Sequence, residues 1–318
     1  MKKHASTLLK IAVTIIGLAY ALNKVPLGDI VVAFQNLDWK WAAVTFGLMV
    51  LGLFVRAYRW LMLLRGLHAA VGFRRLVELY MVGNFFNTFL PSGFGGDVVR
   101  VLEVSQDVPN DVAAGTVIVD RLTGLMMLFA LALVALPFRP DGFPPELLWP
   151  IIGVSLIGLA GGFMLLEGSL IRQFGGWLPG ILSVTDEKRP LAKLLNAVQG
   201  CGWGAIGKAL AVSAVFDGIL AAWWMTAGFA LGLHQISYAY YLLVIPILSV
   251  SMLAPSIGGL GVRETIAPLL FAGAGLSASD AVTLSLLVFI IQRMTGLLGG
   301  PLYIYTSLRD RTKIVNNQ

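Results

Sequence analysis

Long apolar runs alternate with short charged segments along this chain. Several of the runs approach the roughly 20 residues that a helix needs to cross a bilayer. The predicted spans are Leu8–Leu22, Trp39–Leu64, Val112–Phe138, Leu147–Leu166, Ala209–Leu233 and Ala278–Leu308. Charged residues make up only 13% of the chain, whereas a soluble domain carries about 25%. The pattern predicts an all-α polytopic membrane protein with one membrane domain over residues 1–318.

Two further apolar runs are short and stop at breaks rich in proline and glycine. The first break runs from Pro91 to Asp97 and is followed by Arg100, and the second runs from Pro255 to Glu264. Proline removes a backbone donor and glycine lacks a Cβ, so neither segment continues as a plain helix. Such backbone must be buried in protein or line a wet cavity. The residues that we expect to break the helices, rather than only to allow close packing, are Pro91, Gly95, Gly96, Pro255, Gly258 and Gly259.

Basic residues flank the apolar runs, so the net charge of +6 indicates membrane orientation and not a nucleic-acid partner. They concentrate at the N-terminus, at residues 65–75, at residues 172–208 and in the C-terminal tail. All four segments are cytoplasmic only if Leu76–Val108 dips in from the cytoplasm and Tyr238–Gly275 dips in from outside. We therefore predict six crossings of a cell membrane, two re-entrant hairpins of opposite sense, and both termini in the cytoplasm.

A short motif follows each break in the same order. Arg121-Leu122-Thr123-Gly124-Leu125 comes after the first break, and Arg293-Met294-Thr295-Gly296-Leu297 comes after the second. Opposed hairpins with a shared motif predict an inverted repeat, the architecture that many transporters use. The predicted halves are residues 39–138 and 209–308, with a cytoplasmic connector over residues 167–208.

Ionisable residues inside the bilayer are costly and are functional candidates by default. A guanidinium binds two phosphate oxygens at once, and broken helices add free N–H groups. The predicted substrate-binding residues are Asp97, Arg100, Arg121, Asp217, Arg263, Glu264 and Arg293. The arginines would hold an anionic lipid head group, and the carboxylates would pair with them or move protons. The alternatives are that Arg121 and Arg293 only hold the bundle together and that Asp217 only joins two helices.

Other polar and aromatic residues have simpler expected roles. We expect Arg56 and Arg59 to reach the inner surface with their long side chains; the alternative is that they bind a lipid phosphate. We expect Asp120 to be solvated near that surface. Trp223, Trp224 and the tyrosines at 238, 240 and 241 fit an interfacial belt.

Enzyme signatures are absent from the sequence. It has no Gly-x-Ser-x-Gly elbow, no His-Glu-x-x-His pair and no P-loop. The single Cys201 and three scattered histidines suggest no metal site. We therefore expect no catalytic activity, no metal and no cofactor.

The two breaks resemble the paired signatures of the lysylphosphatidylglycerol synthase transmembrane family, the flippase-domain family of the multiple peptide resistance factor and its stand-alone relatives. The likeness covers nearly the whole chain, including Arg56-x-x-Arg59-Trp60, although Gly96-Asp97 stands where the family usually has Gly-Glu. The resemblance implies two re-entrant hairpins around a central cavity, movement of lipid between leaflets, and roles for Asp97, Arg100, Arg263 and Glu264. The chain ends at Gln318 without an aminoacyl-transferase domain, so we expect no synthase activity.

The sequence therefore predicts a flippase that moves an anionic phospholipid or a polyprenyl-phosphate-linked lipid. The alternative is a non-catalytic lipid-binding subunit that partners a glycosyltransferase or a lipid-modifying enzyme. A transporter of small solutes is a third, weaker hypothesis. The expected partners are a membrane lipid and either a second copy of the chain or such an enzyme.

Overall fold

The structure is a computed structural model, and it describes residues 2–23, 25–90, 95–139, 143–169, 190–251, 256 and 259–306. The described residues form helices and short connections, with no strand among them. In chain order the helices are α1 Lys2–Asn23, α2 Leu27–Gln35, α3 Trp39–Gly66, α4 Phe73–Phe89, α5 Gly95–Val104, α6 Asn110–Ala135, α7 Pro145–Glu167, α8 Pro190–Gly200, α9 Gly202–Ala230, α10 Tyr238–Ser251, α11 Val262–Phe271 and α12 Ala278–Leu297. Two 3₁₀ turns, Leu136–Phe138 and Ala272–Ala274, extend α6 and α11.

Five helices of the described chain are long and apolar enough to cross a membrane. They are Trp39–Gly66, Asn110–Phe138, Pro145–Glu167, Gly202–Ala230 and Ala278–Thr306. Helices α1 and α2 would supply a sixth span if they act together, but they are bent by 88° at their junction. The chain is thus an all-α polytopic membrane protein, as the apolar runs predict.

Local residues explain where several spans begin and end. Asp38 caps α3 by accepting a 2.9 Å hydrogen bond from the Lys40 backbone N–H, and Ser277 caps α12 in the same way. Gly168 ends α7 in the left-handed conformation, with φ of 71°, which costs glycine little.

Helices α4 and α5 form an antiparallel hairpin. Gly96 packs against Gly83 near the closed end, and Arg75 pairs with Asp107 at the open end. Helices α10 and α11 form a second hairpin, in which the Tyr240 hydroxyl donates to the Leu270 carbonyl oxygen. The arms contain 10 to 17 residues, fewer than the roughly 20 that a span needs.

The two hairpins open at opposite ends of the bundle. Helices α3 and α9 are antiparallel, because Asp38 bonds Ala230 at one end and Gly66 contacts Cys201 at the other. The open end of the first hairpin packs with the end of α3 and the start of α6. The open end of the second packs with the start of α3 and the ends of α6 and α9. This arrangement is the one that opposed hairpins require, while their re-entrant course and the inverted repeat stay predictions.

The helix breaks are only partly within the described residues. Pro91, Pro255 and Gly258 lie outside them. Gly95 and Gly96 start α5, so there the chain resumes a helix and does not continue the break. Gly259 has φ of 85°, a conformation that strains other residues.

The predicted interfacial belt on α9 and α10 is wrong for four of its five aromatic residues. Trp223, Trp224, Tyr240 and Tyr241 are buried in the protein, where several of them pack around Phe271. The physical reason is helix rotation: these side chains face neighbouring helices, and the sequence pattern of an almost uniformly apolar helix does not fix that direction.

Candidate functional site: a charged cavity between the spans

A cavity of about 290 Å³ lies among α3, α4, α5, α6, α9, α10 and α12. Its charged lining consists of Arg56, Arg59, Arg100, Arg121, Arg293, Asp97, Asp120 and Asp217. Five arginines and three aspartates give a formal charge of 5 − 3 = +2 when all are ionised. Isolated charges are expensive between membrane-spanning helices, so the partners of each side chain decide what the cavity can bind.

Asp120 is the centre of a buried ion network on one wall of the cavity. Its Oδ1 accepts a 2.7 Å hydrogen bond from Arg59 Nε, and its Oδ2 accepts a 3.0 Å bond from Arg100 Nη2 and one from the Tyr80 hydroxyl. Asp120 is 1% exposed and Arg59 is 4% exposed. Arg59 also donates to Ser213 on α9 at 3.1 Å. The network therefore joins α3, α4, α5, α6 and α9.

Arg100 is held on all sides by this wall. Its guanidinium carbon lies 3.7 Å from the centre of the Tyr80 ring and 4.2 Å from that of Trp60, in cation–π contact. Asp97 accepts a 3.2 Å bond from Arg100 and also pairs with Arg121. Two carboxylates and two rings thus surround Arg100, whose buried Nε alone has no hydrogen-bond partner among the described residues.

The first hairpin places Asp97 and Arg100 through a close backbone contact. A Cβ on Gly96 would collide with the Gly83 carbonyl oxygen and the Asn87 side chain. Asn87 Oδ1 accepts a 2.7 Å hydrogen bond from the Gly96 backbone N–H, one of the donors that a helix start leaves unpaired. The glycines thus bring α5 close enough to α4 for Arg100 to reach Asp120.

Arg293 enters the cavity from α12 and makes no salt bridge within the described residues. Its Nη1 donates a 2.7 Å hydrogen bond to the Asn87 carbonyl oxygen, and its guanidinium carbon lies 4.5 Å from the centre of the Phe289 ring. Its buried Nε has no hydrogen-bond partner in the structure as described. Arg293 therefore keeps a full positive charge available to the cavity.

Arg56 on α3 is the second cavity arginine that no carboxylate of the described chain pairs with. Its Nε makes a long bond of 3.4 Å to the Gly52 carbonyl oxygen, and its guanidinium lies between the rings of Tyr80 and Phe216 at 5.4 and 5.1 Å. Aromatic faces stabilise a cation without neutralising it.

Asp217 on α9 differs from the other cavity carboxylates. It is 2% exposed, and its buried Oδ2 has no hydrogen-bond partner among the described residues. No salt bridge in that part of the chain includes it, whereas Asp97 and Asp120 each pair with two arginines.

Arg263 and Glu264 do not line the cavity. Arg263 donates to the Ser285 hydroxyl and carbonyl oxygens at 2.8 Å each, and Glu264 Oε1 lies 3.0 Å from the same hydroxyl. Glu264 Oε2 accepts a 2.7 Å bond from the Gly261 N–H, which caps α11. The pair forms a separate buried cluster that fixes the second hairpin to α12.

The structure thus brings together five of the seven residues that the sequence proposes for the site: Asp97, Arg100, Arg121, Asp217 and Arg293. The predictions that Arg59 reaches the surface and that Asp120 is solvated are wrong. Helices α3 and α6 turn the two side chains toward each other, where both are buried. Arg56 also lines the cavity.

The sequence prediction missed four further polar residues of the lining: Tyr80, Asn84, Asn87 and Gln292. Their position as polar residues within the apolar runs of α4 and α12 was a usable signal.

The described residues contain no group of three or more histidine, cysteine or acidic side chains that could hold a metal ion. The lining instead offers guanidinium, carboxylate, amide and hydroxyl groups, together with Leu125, Leu128 and Leu220. Such a surface suits a ligand with an anionic polar part and an apolar part.

Fold and cavity define a polytopic α-helical membrane protein with a charged cavity between its spans. The chain belongs to the family described as the lysylphosphatidylglycerol synthase TM region, whose model matches residues 7–300. Membership relates the function to membrane lipids. No curated protein and no solved structure matches the chain significantly.

Proposed function

We propose that this protein moves an anionic lipid, either a phospholipid or a polyprenyl-phosphate-linked lipid, between the leaflets of a cell membrane. The observation that carries the proposal is the pair Arg56 and Arg293, two arginines that line one intramembrane cavity without a carboxylate partner in the described chain. Keeping two unneutralised cations there is costly unless an anion binds them.

A phosphate group is the anion that best fits these two side chains. A guanidinium presents paired N–H donors that match two phosphate oxygens, and both arginines have donors that are not engaged by carboxylates. Arg56 lies on α3 and Arg293 on α12, so each predicted repeat half contributes one of these arginines to the cavity.

The apolar part of the lining suits the rest of a lipid. Phe216, Leu220, Leu125 and Leu128 belong to α9 and α6 and face the cavity that the arginines line. A head group of lipid size would occupy the cavity, while its chains stay in the bilayer.

The network around Asp120 would act as the rigid wall against which the site forms. Asp120 forms salt bridges with Arg59 and Arg100. This wall therefore contributes to the shape of the site more than to its unpaired charge. The hairpins, which open at opposite ends of the bundle, are the elements that we propose to expose the cavity to each leaflet in turn.

The basic segments support an orientation with both termini in the cytoplasm. The end of α3 and the start of α9 lie at one end of the bundle, where Gly66 contacts Cys201. Residues 65–75 and 190–208 therefore meet at that end, which the positive-inside rule assigns to the cytoplasm.

The test is leaflet-resolved transport in liposomes. Purified protein is reconstituted with a fluorescent anionic phospholipid, and dithionite quenching reports the fraction of probe in the outer leaflet. The Arg56→Gln and Arg293→Gln variants should each slow transport roughly 10- to 100-fold, since a charged hydrogen bond contributes about 1.5–3 kcal/mol. Arg139→Gln, at an exposed site after α6, is the matched control and should transport at the wild-type rate. Wild-type rates in both cavity variants would refute the phosphate site.

A non-transporting lipid-binding subunit is the second candidate. The Arg293–Asn87 bond favours it, because that contact fixes α12 to the first hairpin and would hold a bound lipid in place. This candidate predicts saturable binding of anionic phospholipid by the purified protein, with no transfer between leaflets in the same liposomes.

A further inference from the structure

We propose that Asp217 carries a proton whenever the cavity holds its anionic lipid, so that one proton and one lipid cross the membrane together. This inference rests on the proposed translocase function and adds the energy source of transport. It makes the protein a proton–lipid symporter.

The position of Asp217 supports this role. The side chain is 2% exposed, lines the cavity and leaves Oδ2 without a hydrogen-bond partner in the described part of the chain. An ionised carboxylate with an unpaired buried oxygen is costly, and a bound proton removes that cost. Glu264 is less suited, because both of its oxygens are bonded and it lies outside the cavity.

The charged and titratable groups around Asp217 do not replace that proton. Helix α9 packs against α3, α6, α10 and α12. The charged and titratable groups that these helices contribute here are Arg56, Arg59, Asp120, Arg121, Tyr238 and Arg293. The donors of Arg59 go to Asp120 and Ser213, and no salt bridge joins Arg59 to Asp217 in the described chain. The Tyr238 hydroxyl donates to the Gly218 carbonyl oxygen at 2.7 Å. Asp217 has no salt-bridge partner in the described chain and retains its proton-binding capacity.

Lipid and proton binding are then coupled by charge. A phosphate bound in the cavity adds negative charge to the space that Asp217 lines, which makes an ionised Asp217 still less favourable. Because coupling between two ligands is reciprocal, a proton on Asp217 must strengthen phosphate binding by the same factor. Release of the lipid reverses both effects and frees the proton on the other side.

The charge balance gives a sharp expectation. A lipid with one negative charge and one proton cross as a neutral pair, so a membrane potential should leave wild-type transport unaffected. A pH difference should drive it: one pH unit corresponds to a roughly tenfold difference in lipid between the leaflets at equilibrium. Lipid should accumulate in the leaflet on the alkaline side.

The experiment uses the full chain in liposomes that contain fluorescent phosphatidylglycerol and a pH-sensitive dye inside. With the outside one pH unit more acidic, wild-type protein should enrich the probe in the inner leaflet roughly tenfold and carry protons inward. Asp217→Asn should lose the response to pH and become sensitive to a potassium diffusion potential, because it carries the bare anion. The expected shift is roughly 50-fold for 100 mV. Asp29→Asn, the same change at an exposed site on α2, should behave as wild type.

Three outcomes separate the two proposals. Lipid movement that ignores the pH difference in wild-type protein overturns proton coupling and leaves the translocase intact. No lipid movement in wild-type protein overturns both. If Asp217→Asn fails to fold, the wild-type response still decides the matter, and Asp217→Glu, which keeps a titratable group, should retain proton-driven transport.

Discussion

Arg293 on α12 donates a 2.7 Å hydrogen bond to the backbone carbonyl oxygen of Asn87, near the end of α4. The two residues belong to opposite predicted halves of the chain. The bond engages Nη1 of Arg293, while its Nε has no hydrogen-bond partner among the described residues. The same arginine therefore ties the halves together and presents charge to the cavity, so an anion that captures it would loosen the contact with the first hairpin.

Replacing Arg293 by lysine should separate the effect of its positive charge on lipid binding from the effect of its planar guanidinium geometry. Lysine keeps the positive charge but lacks the planar fork that can bond Asn87 and a phosphate together. We expect Arg293→Lys to weaken lipid binding about tenfold and Arg293→Gln to weaken it further, measured by titration of the detergent-purified protein with short-chain phosphatidylglycerol. Equal affinity of wild-type protein and both variants would exclude Arg293 from the binding site.

Asp120→Asn should destabilise the fold. The change removes the charge that compensates Arg59 and Arg100 in a buried site, and breaking such a pair costs about 3–5 kcal/mol. We expect a clearly lower midpoint of thermal unfolding in detergent. Asp29→Asn should leave the midpoint unchanged, because Asp29 is exposed. A midpoint for Asp120→Asn equal to that of the control would show that the network contributes nothing to stability.

Gly96→Ala should impair both folding and transport. A methyl group there would meet the Gly83 carbonyl oxygen and the Asn87 side chain, so α5 must move away from α4 at a cost of about 1–3 kcal/mol. That movement also displaces Asp97 and Arg100. Gly47→Ala on α3 is the control, since its methyl group would meet open space and should cost no stability. Unfolding midpoints that match for the two variants would contradict the close packing of the first hairpin.

Cys201 should react slowly with maleimides in the folded protein. The thiol precedes α9, is 2% exposed and donates to the Ala197 carbonyl oxygen. Burial raises its pKa to about 11, so the reactive thiolate is scarce at neutral pH and increases about tenfold per pH unit up to that pKa. At pH 8 we expect labelling on the order of 100-fold slower than for the unfolded chain. Equal rates before and after denaturation would show that the thiol is accessible.

Cysteine labelling in intact cells tests the proposed orientation. In a Cys201→Ser background, Lys40→Cys lies at the start of α3 and Arg74→Cys lies in the first turn of α4, just beyond the other end of α3; both positions are exposed. A membrane-impermeant maleimide should label Lys40→Cys from outside and Arg74→Cys only after permeabilisation. The reverse pattern would invert the topology, and labelling of both from outside would mean that α3 does not cross the membrane.

Much of the fold follows from short-range features of the sequence. Span boundaries such as Trp39 and Ala278 come within a residue or two of the observed helices, because the length of an apolar run and its caps are local properties. The short hairpin arms are equally local, because each short apolar run stops where proline and glycine cluster, whereas single prolines such as Pro150 and Pro246 lie inside helices. The two arginines of the short motif that follows each break, Arg121 and Arg293, both line the cavity.

Short-range features of the sequence do not predict which charged residues form ion pairs. Arg59 and Asp120 meet across 61 positions, and Arg263 turns to Ser285 instead of the cavity. In helices that are apolar on nearly every side, the sequence does not reveal which face packs inward.

Local features of the chain indicate the class of protein, the positions of the two breaks and the small set of ionisable residues in apolar runs from which a site could be built. The packing of the helices decides how these residues pair. Asp120 pairs with Arg59 and Arg100, Arg263 pairs with Glu264 outside the cavity, and Arg56, Arg293 and Asp217 have no salt-bridge partner in the described chain. A charge inside the membrane is costly at every one of these positions, but the rotation of each helix, which is set by tertiary contacts, selects the side chains that can meet.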